Sequence, residues 1–457
     1  MRKKNQKQLP LMTKRIDHPH AEELHRISDI LDENPIINEW VLQDLTRDKN
    51  LVDTGAQGMT AEQVIRAAII KQMEEYSYEE LAFHLVDSVS YRCFCRIGFA
   101  DKGFQKSALC SNIKAILPET FESINHLLVA YGKDKKIEKG KQSRIDCTVV
   151  SSNIHEPTDS SLLWDSVRVL TRMLCNTRKA FKDLNIFYTD HTRRAKRRML
   201  GVMNAKSKKA RKEQYQDLLK VTNKTVSYTH HAILLLEDPK LISPGLFDSA
   251  QDCAEELRDI VTLAEKVIAQ TTRRVINGES VPASEKIVSI FEPHTDIIKK
   301  DRRETFYGHK ICLSGGASNL ITDCLILDGN PADTDLSDQM LERHKEIYGH
   351  YPLKTALDGG FASKENLSSA KGKGIKDVCF AKKRGLKEED MCRSTWVYKR
   401  LRRFRAGIES GISWLKRSFG LTRCTWKTLE SFKSYVWASV VSANLLTLAR
   451  SEILANS

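Results

Sequence analysis

At 457 residues with 41% apolar content, the chain can bury a large core and has room for about two to four domains. Its 73 basic against 59 acidic residues give a formal charge of +14; this favours nucleic acid as partner, although a basic membrane-surface protein would share it. Eleven cysteines, odd in number and without a C-x-x-C pair, argue against a disulfide framework or zinc ribbon and for reduced thiols.

The stretch Met1–Lys14 is basic and polar with no apolar segment, so it does not read as a secretory signal. Residues 1–135 read as a helical domain. Thr60 and Gln63 form a capping-box pattern ahead of Val64, Ile65, Ala68 and Ile69; Ser77 and Glu80 form a second ahead of Leu81 and Leu85. Two helices meeting at Tyr76-Ser77, with a third over Ser107–Leu117, are compatible with a helix-turn-helix that binds DNA ends, a geometry also common in proteins that never touch DNA. A lysine-rich linker, Gly132–Gln142, follows.

The pattern then changes period. Arg144-Ile145-Asp146-Cys147-Thr148-Val149-Val150 reads as a strand. From about Asp165 to Val275 the chain reads as helical and charged, with twelve Lys/Arg between Arg193 and Lys224 against Glu213 and Asp217. Strands are expected at Lys286–Phe291, Glu304–Leu313 and Leu320–Leu327, the last two as a hairpin. A helix at Ser337–Tyr348, a strand at Leu353–Asp358, a helix at Ser363–Ala370, a strand at Asp377–Ala381 and two long helices complete the order. Tyr435–Ala449 is apolar but interrupted by Ser439, Ser442 and Asn444, too short and polar to span a bilayer comfortably. With its insert removed, the order resembles an RNase H-like core. The expected fold is therefore α/β: a helical N-terminal domain (1–135), the first part of an RNase H-like core (136–164), a helical basic insertion (165–280) and the remainder of the core (281–457), in a soluble intracellular protein.

Three acidic residues draw the chemistry. Asp146 sits mid-strand, where aspartate is disfavoured, unless it merely faces solvent. Asp358 closes a strand ahead of Gly359 and Gly360, where α/β proteins collect functional groups; a plain Asp-Gly turn is the alternative. Asp323 and Asp328 compete with it. Glu409 shares a helix face with Arg402, Arg405 and Lys416, beside the apolar stripe Ile408, Ile412, Leu415 and Phe419; a surface ion pair with Arg405 is the plainer reading. Clustered carboxylates are what a pair of Mg²⁺ ions needs for phosphodiester chemistry.

At these residues the chain resembles the DDE transposases of bacterial insertion sequences, and most the ISNCY-type group. The resemblance rests on Asp146 within Ile-Asp-Cys-Thr-Val-Val, Asn153-Ile154-His155, Pro157-Thr158-Asp159-Ser160, Phe306-Tyr307-Gly308-His309-Lys310, Asp328-Gly329-Asn330-Pro331 and Asp358-Gly359-Gly360-Phe361. Its most specific part is Arg405-x3-Glu409-x6-Lys416, with Arg402 in place of a tyrosine frequent in the family. The segment Thr60–Ile116 is similar to the family's helical N-terminal domain. The resemblance implies a catalytic and metal-binding triad of Asp146, Asp358 and Glu409 on an RNase H-like fold. Asp146 would bridge two Mg²⁺ ions (with Mn²⁺ as substitute), with Asp358 completing one site and Glu409 the other. It also implies double-stranded transposon-end and target DNA as substrates, a homodimer on paired ends, and a cytoplasmic, nucleoid-associated location without membrane contact. Arg402, Arg405 and Lys416 are expected to contact DNA near the metals. Arg193, Arg194, Arg197, Arg198, Lys208 and Lys209, with Tyr215 and Tyr228 nearby, are expected on a DNA-backbone surface, unless that run is a solvated hairpin. A nuclease or junction resolvase that cuts without joining, and a degenerate copy that only binds DNA, are the rival readings.

Overall fold

The computed structural model describes residues 3–4, 17–47, 58–98, 100–300 and 304–456. Most of the basic stretch Met1–Lys14 lies outside them. Contacts divide the chain into two units, one formed by Met1–Ser152 with His309–Ser457 and the other by Asn153–Gly308.

The first unit opens with α1 (Pro19–Glu33), α2 (Ile36–Thr46), α3 (Ala61–Met73), α4 (Tyr78–Asp87), α5 (Val89–Phe94), α6 (Lys106–Lys114) and α7 (Pro118–Asp134). Both capping boxes form: Thr60 with Gln63 starts α3 and Ser77 with Glu80 starts α4, each satisfying two amide groups at its helix start. Helix α3 is buried along almost its whole length, whereas α4 exposes Glu79, Glu80 and Asp87. Arg66, only 1% exposed, is tolerated inside α3 because it donates to Ser28 Oγ (2.8 Å), Phe94 O (3.1 Å) and Asp32 Oδ1 (2.6 Å).

Strand β1 (Gln142–Ser151) enters the sheet. Four helices of the second unit follow: α8 (Asp159–Ala180), α9 (Thr192–Met203), α10 (Lys208–Glu237) and α11 (Phe247–Thr271). They bury two apolar clusters, one around Leu174, Leu236 and Leu257 and one around Leu163, Leu218 and Val267. Strand β2 (Asp296–Lys300) pairs antiparallel with the first residues of β3 (Glu304–Gly315). The strand expected at Lys286–Phe291 is not one. Those residues are irregular, and Gln270 holds the backbone of Ile287 instead, accepting from its N–H (2.9 Å) and donating to its carbonyl (3.1 Å).

The first unit resumes along β3 and continues with β4 (Ile321–Ile326), α12 (Asp333–Tyr348), β5 (Lys354–Leu357), α13 (Lys364–Gly372), β6 (Asp377–Phe380), α14 (Glu388–Met391), α15 (Thr395–Ser418) and α16 (Leu429–Asn456). The sheet runs β4-β3-β1-β5-β6, and β2 makes it six-stranded among the described residues. Strands β1, β5 and β6 are mutually parallel, and β3 and β4 antiparallel.

Helix α16 is buried nearly all round from Phe432 to Ala449, so it is a central post. Two of its three polar interruptions are satisfied internally, whereas Ser442 Oγ is buried without a hydrogen bond. Ser439 donates to Tyr435 O (3.0 Å), and Asn444 accepts from Ile321 N (2.9 Å) while donating to Ile321 O (2.8 Å) and Asn125 Oδ1 (2.7 Å). No helix among the described residues is long and apolar enough to cross a membrane. All eleven cysteines are free.

Candidate active site

The pairing of β1 with β5 aligns Ile145 with Leu357. One step further along both parallel strands come Asp146 and Asp358, so the two carboxylates emerge side by side. Two glycines after Asp358 are required by crowding. A Cβ on Gly359 would come within 2.7 Å of Lys382 Cβ, and one on Gly360 within 2.2 Å of Asp333 Oδ2. Asp333 is itself held by Lys310, whose Nζ lies 2.6 Å from Asp333 Oδ1 and donates to Pro331 O at 2.6 Å. The Lys310 and Pro331 motif segments thus brace the turn that presents Asp358.

Helix α15 brings the third carboxylate. Tyr398, Leu401, Ile408, Ile412 and Leu415 are its buried stripe, as the spacing predicts. Gly407 lets it come close to β1: a Cβ there would lie 1.7 Å from Arg144 Nη1, which donates to Phe404 O (3.3 Å).

Arg405 lies among all three acids. Its Nη2 donates to Glu409 Oε1 (2.9 Å), and Nη1 stands 3.3 Å from Asp358 Oδ1 and 3.8 Å from Asp146 Oδ2. Its Nε and Nη1 are buried and make no hydrogen bond. Glu409 (53% exposed) and Asp358 (39%) remain open to solvent, whereas Asp146 is 17% exposed. Burial, then the neighbouring Asp358, push the Asp146 carboxyl up to about 6, against the lowering pull of the Cys147 amide and Arg405. One guanidinium against three carboxylates leaves a net deficit of positive charge, and the donors are hard oxygens. That donor set suits Mg²⁺ or Mn²⁺.

The remaining expected residues fall as follows. Arg402 is exposed on α15, and Lys416 is half-buried on the same helix. In the second unit, Arg193, Arg197, Lys208 and Lys209 are exposed, while Arg194 and Arg198 both pair with Asp217. Tyr215 is buried. His309 is 2% exposed and packs edge-on against Phe432. Asp328 is an exposed turn residue ahead of Gly329, whose φ is 71°. Asp323 belongs to a different cluster, which no sequence pattern announced: Glu122, His126 and Asp323 hold their ligand atoms within 4.8 Å of one another. Among the described residues only this group is so tight; the other three acids are spread wider, around Arg405. In the Asp323 cluster the cation is already supplied. Arg343 binds Asp323 through Nε and Nη2, and Glu122 Oε1 through Nη2 (2.6 Å).

Two family models match the chain: a transposase DDE domain over residues 281–445 and a transposase domain (DUF772) over residues 12–115. The DDE match includes Asp358 and Glu409 and begins downstream of Asp146. No curated protein and no solved structure matches. The DDE match implies an RNase H-like core, a DNA substrate, divalent metal and activity of a nuclease or transferase type. Taken together, the two domains support a DDE transposase of an insertion sequence, acting in DNA transposition and recombination.

Proposed function

We propose that the chain cuts DNA at transposon ends and joins the freed strand to target DNA, with Asp146, Asp358 and Glu409 as its catalytic carboxylates. The observation that carries this is their convergence on Arg405 from two parallel strands and a helix. These acids would hold two Mg²⁺ ions, with Mn²⁺ as substitute. Such ions supply activation of the attacking hydroxyl and stabilisation of the departing oxygen. In cleavage, a water oxygen bonds to the scissile phosphorus and the P–O3′ bond breaks, freeing a 3′-hydroxyl. In transfer, that hydroxyl oxygen bonds to a target phosphorus and the target's P–O3′ bond breaks; the proton released by the attacking hydroxyl is balanced by one taken up from solvent on the displaced 3′ oxygen, which leaves as a hydroxyl.

The chain's own groups orient the strand. Arg402 and Lys416 lie on α15 on either side of Glu409, where they hold phosphates by charge-assisted contacts; Arg405 joins them once cations replace it among the carboxylates. In the second unit Arg193, Arg194, Arg197, Arg198, Lys208 and Lys209 form a backbone-binding surface, with Arg194 and Arg198 partly engaged by Asp217. Residues 1–135 serve DNA-end binding. The core is RNase H-like, in two parts (136–164 and 281–457) around the insertion 165–280. The enzyme is of the ISNCY-like group and acts as a homodimer on paired ends in the nucleoid.

The test is a labelled terminal-repeat duplex with Mg²⁺. Asp146→Asn and Glu409→Gln should each lose cleavage by more than about 100-fold while binding the duplex as the parent chain does. Hydrolysis without any joined product would instead favour a nuclease. Cleavage that survives Glu409→Gln would remove this residue from the site.

A further inference from the structure

The last turn of α3 faces the loop joining α15 to α16, and between them lies an open cavity of about 470 Å³. Lys71, Tyr78, Lys416 and Arg423 line it, with Glu75 and Glu80 among its acidic groups. Glu80 is already engaged, accepting from Ser77 N at 2.8 Å. Lys71 is the unusual member. It is 5% exposed, and its ammonium makes no hydrogen bond or ion pair among the described residues. Its neighbours are the faces of Tyr78 and Trp426, 5.0 and 5.9 Å from the ring centroids, with Lys114 6.0 Å from the same Trp426 ring. A buried cation beside further cations, opening into a cavity, is an arrangement that an anion completes. Burial pushes the Lys71 pKa down to about 8, with Lys114 adding to the fall and Glu75 opposing it.

The cavity is continuous with the catalytic helix. Lys416 follows Glu409 by two turns of α15, about 10 Å along the axis, or roughly three nucleotide steps of 3.4 Å. The loop beside the cavity is also stitched to the end of β1, the strand that carries Asp146. Ser151 N donates to Thr422 O (3.2 Å), and Cys424 N donates to Ser151 O (2.8 Å).

We propose that this cavity is a subsite for a backbone phosphate of the DNA strand under reaction, received by Lys71 with Lys416 and Arg423. The inference rests on the DNA-cutting reading above and adds to it a phosphate contact from the N-terminal helical region. The experiment measures anisotropy of the full chain with a terminal-repeat duplex over a salt series in EDTA, so that cleavage plays no part. Lys71→Met keeps the length of the side chain and removes an uncompensated charge, so it should fold; a melting curve checks this. Arg423→Gln, at an exposed position, is the second variant. Each should weaken binding severalfold and lower the slope of log K against log salt by about 0.9, whereas Lys71→Arg should retain most of both.

Folded Lys71→Met and Arg423→Gln chains that bind with parental affinity and slope would overturn the subsite alone. A parent chain that binds no DNA overturns both readings. Inorganic phosphate that raises the melting temperature of the parent but not of Lys71→Met, with DNA binding unchanged in the variant, would assign the cavity to a small free anion and overturn the DNA subsite.

Discussion

Two arginines each sit among carboxylates, and the contrast between them separates a structural cluster from a chemical one. Arg343 on α12 serves both oxygens of Asp323 and reaches Glu122, and Asp323 is 1% exposed. Burial alone would raise the Asp323 carboxyl, yet its hydrogen bonds to Arg343, with the His126 ring 3.7 Å away, hold it below its ordinary value. Arg405 instead makes one hydrogen bond to its three acids, leaves two buried nitrogens unsatisfied, and faces two carboxylates open to water. The tighter cluster is thus the closed one. Acidic side chains drawn together become a place for divalent cations where the protein's own cation leaves them under-neutralised and reachable.

The sharpest way to break this comparison is to remove each arginine. Arg343→Ala strands the buried Asp323 charge and should cost about 3–5 kcal/mol in urea unfolding. A loss below about 1 kcal/mol would mean that the cluster is not held by its ion pairs.

Next in size is an acid response from the same helix. His344 donates from Nε2 to Gly140 O (2.9 Å), its Nδ1 is buried without a partner, and burial lowers its pKa to about 4. Its folded value lies below its unfolded one. The associated stability is therefore complete above about pH 6.5 and declines as pH falls toward 4, by about 3 kcal/mol. Urea midpoints against pH should show the fall, and His344→Gln should flatten it; an unchanged slope in the variant would assign the response elsewhere.

The smallest effect belongs to Arg405→Ala. Its partners Asp358 and Glu409 reach water, so the loss should be about 1 kcal/mol or less. Mg²⁺ should then raise the melting temperature more in this variant than in the parent, because the competing cation is gone. Equal shifts would show that Arg405 does not contest the carboxylates.

Much of this was legible because it is local. Thr60 with Gln63 and Ser77 with Glu80 are helix starts written within four residues. Asp146 in a β-branched run, Asp358 before two glycines, and Glu409 beside an apolar stripe each lie where their patterns place them. What the sequence hid depends on partners distant in the chain. Ile287, Val288 and Ile290 read as a strand, but Gln270 satisfies the backbone of Ile287, and the strand forms at Asp296–Lys300. Helical spacing gives the Arg405–Glu409 pair, but not the reach of Arg405 to Asp146 and Asp358. The Arg343 cluster joins α7, β4 and α12, and no local motif marks it.

The central post α16 is made after every helix that packs on it. Helices α1, α3 and α7 pack on it, and more than half of the chain lies between Asp146 and Glu409. At about 5–20 residues per second, a ribosome spends tens of seconds with the first carboxylate exposed and its partners unsynthesised. A polypeptide halted in that interval lacks both the scaffold for its amino-terminal helices and the residues that complete the proposed centre. The proposed centre is therefore complete only once α15 has been translated, and its scaffold only once α16 has followed.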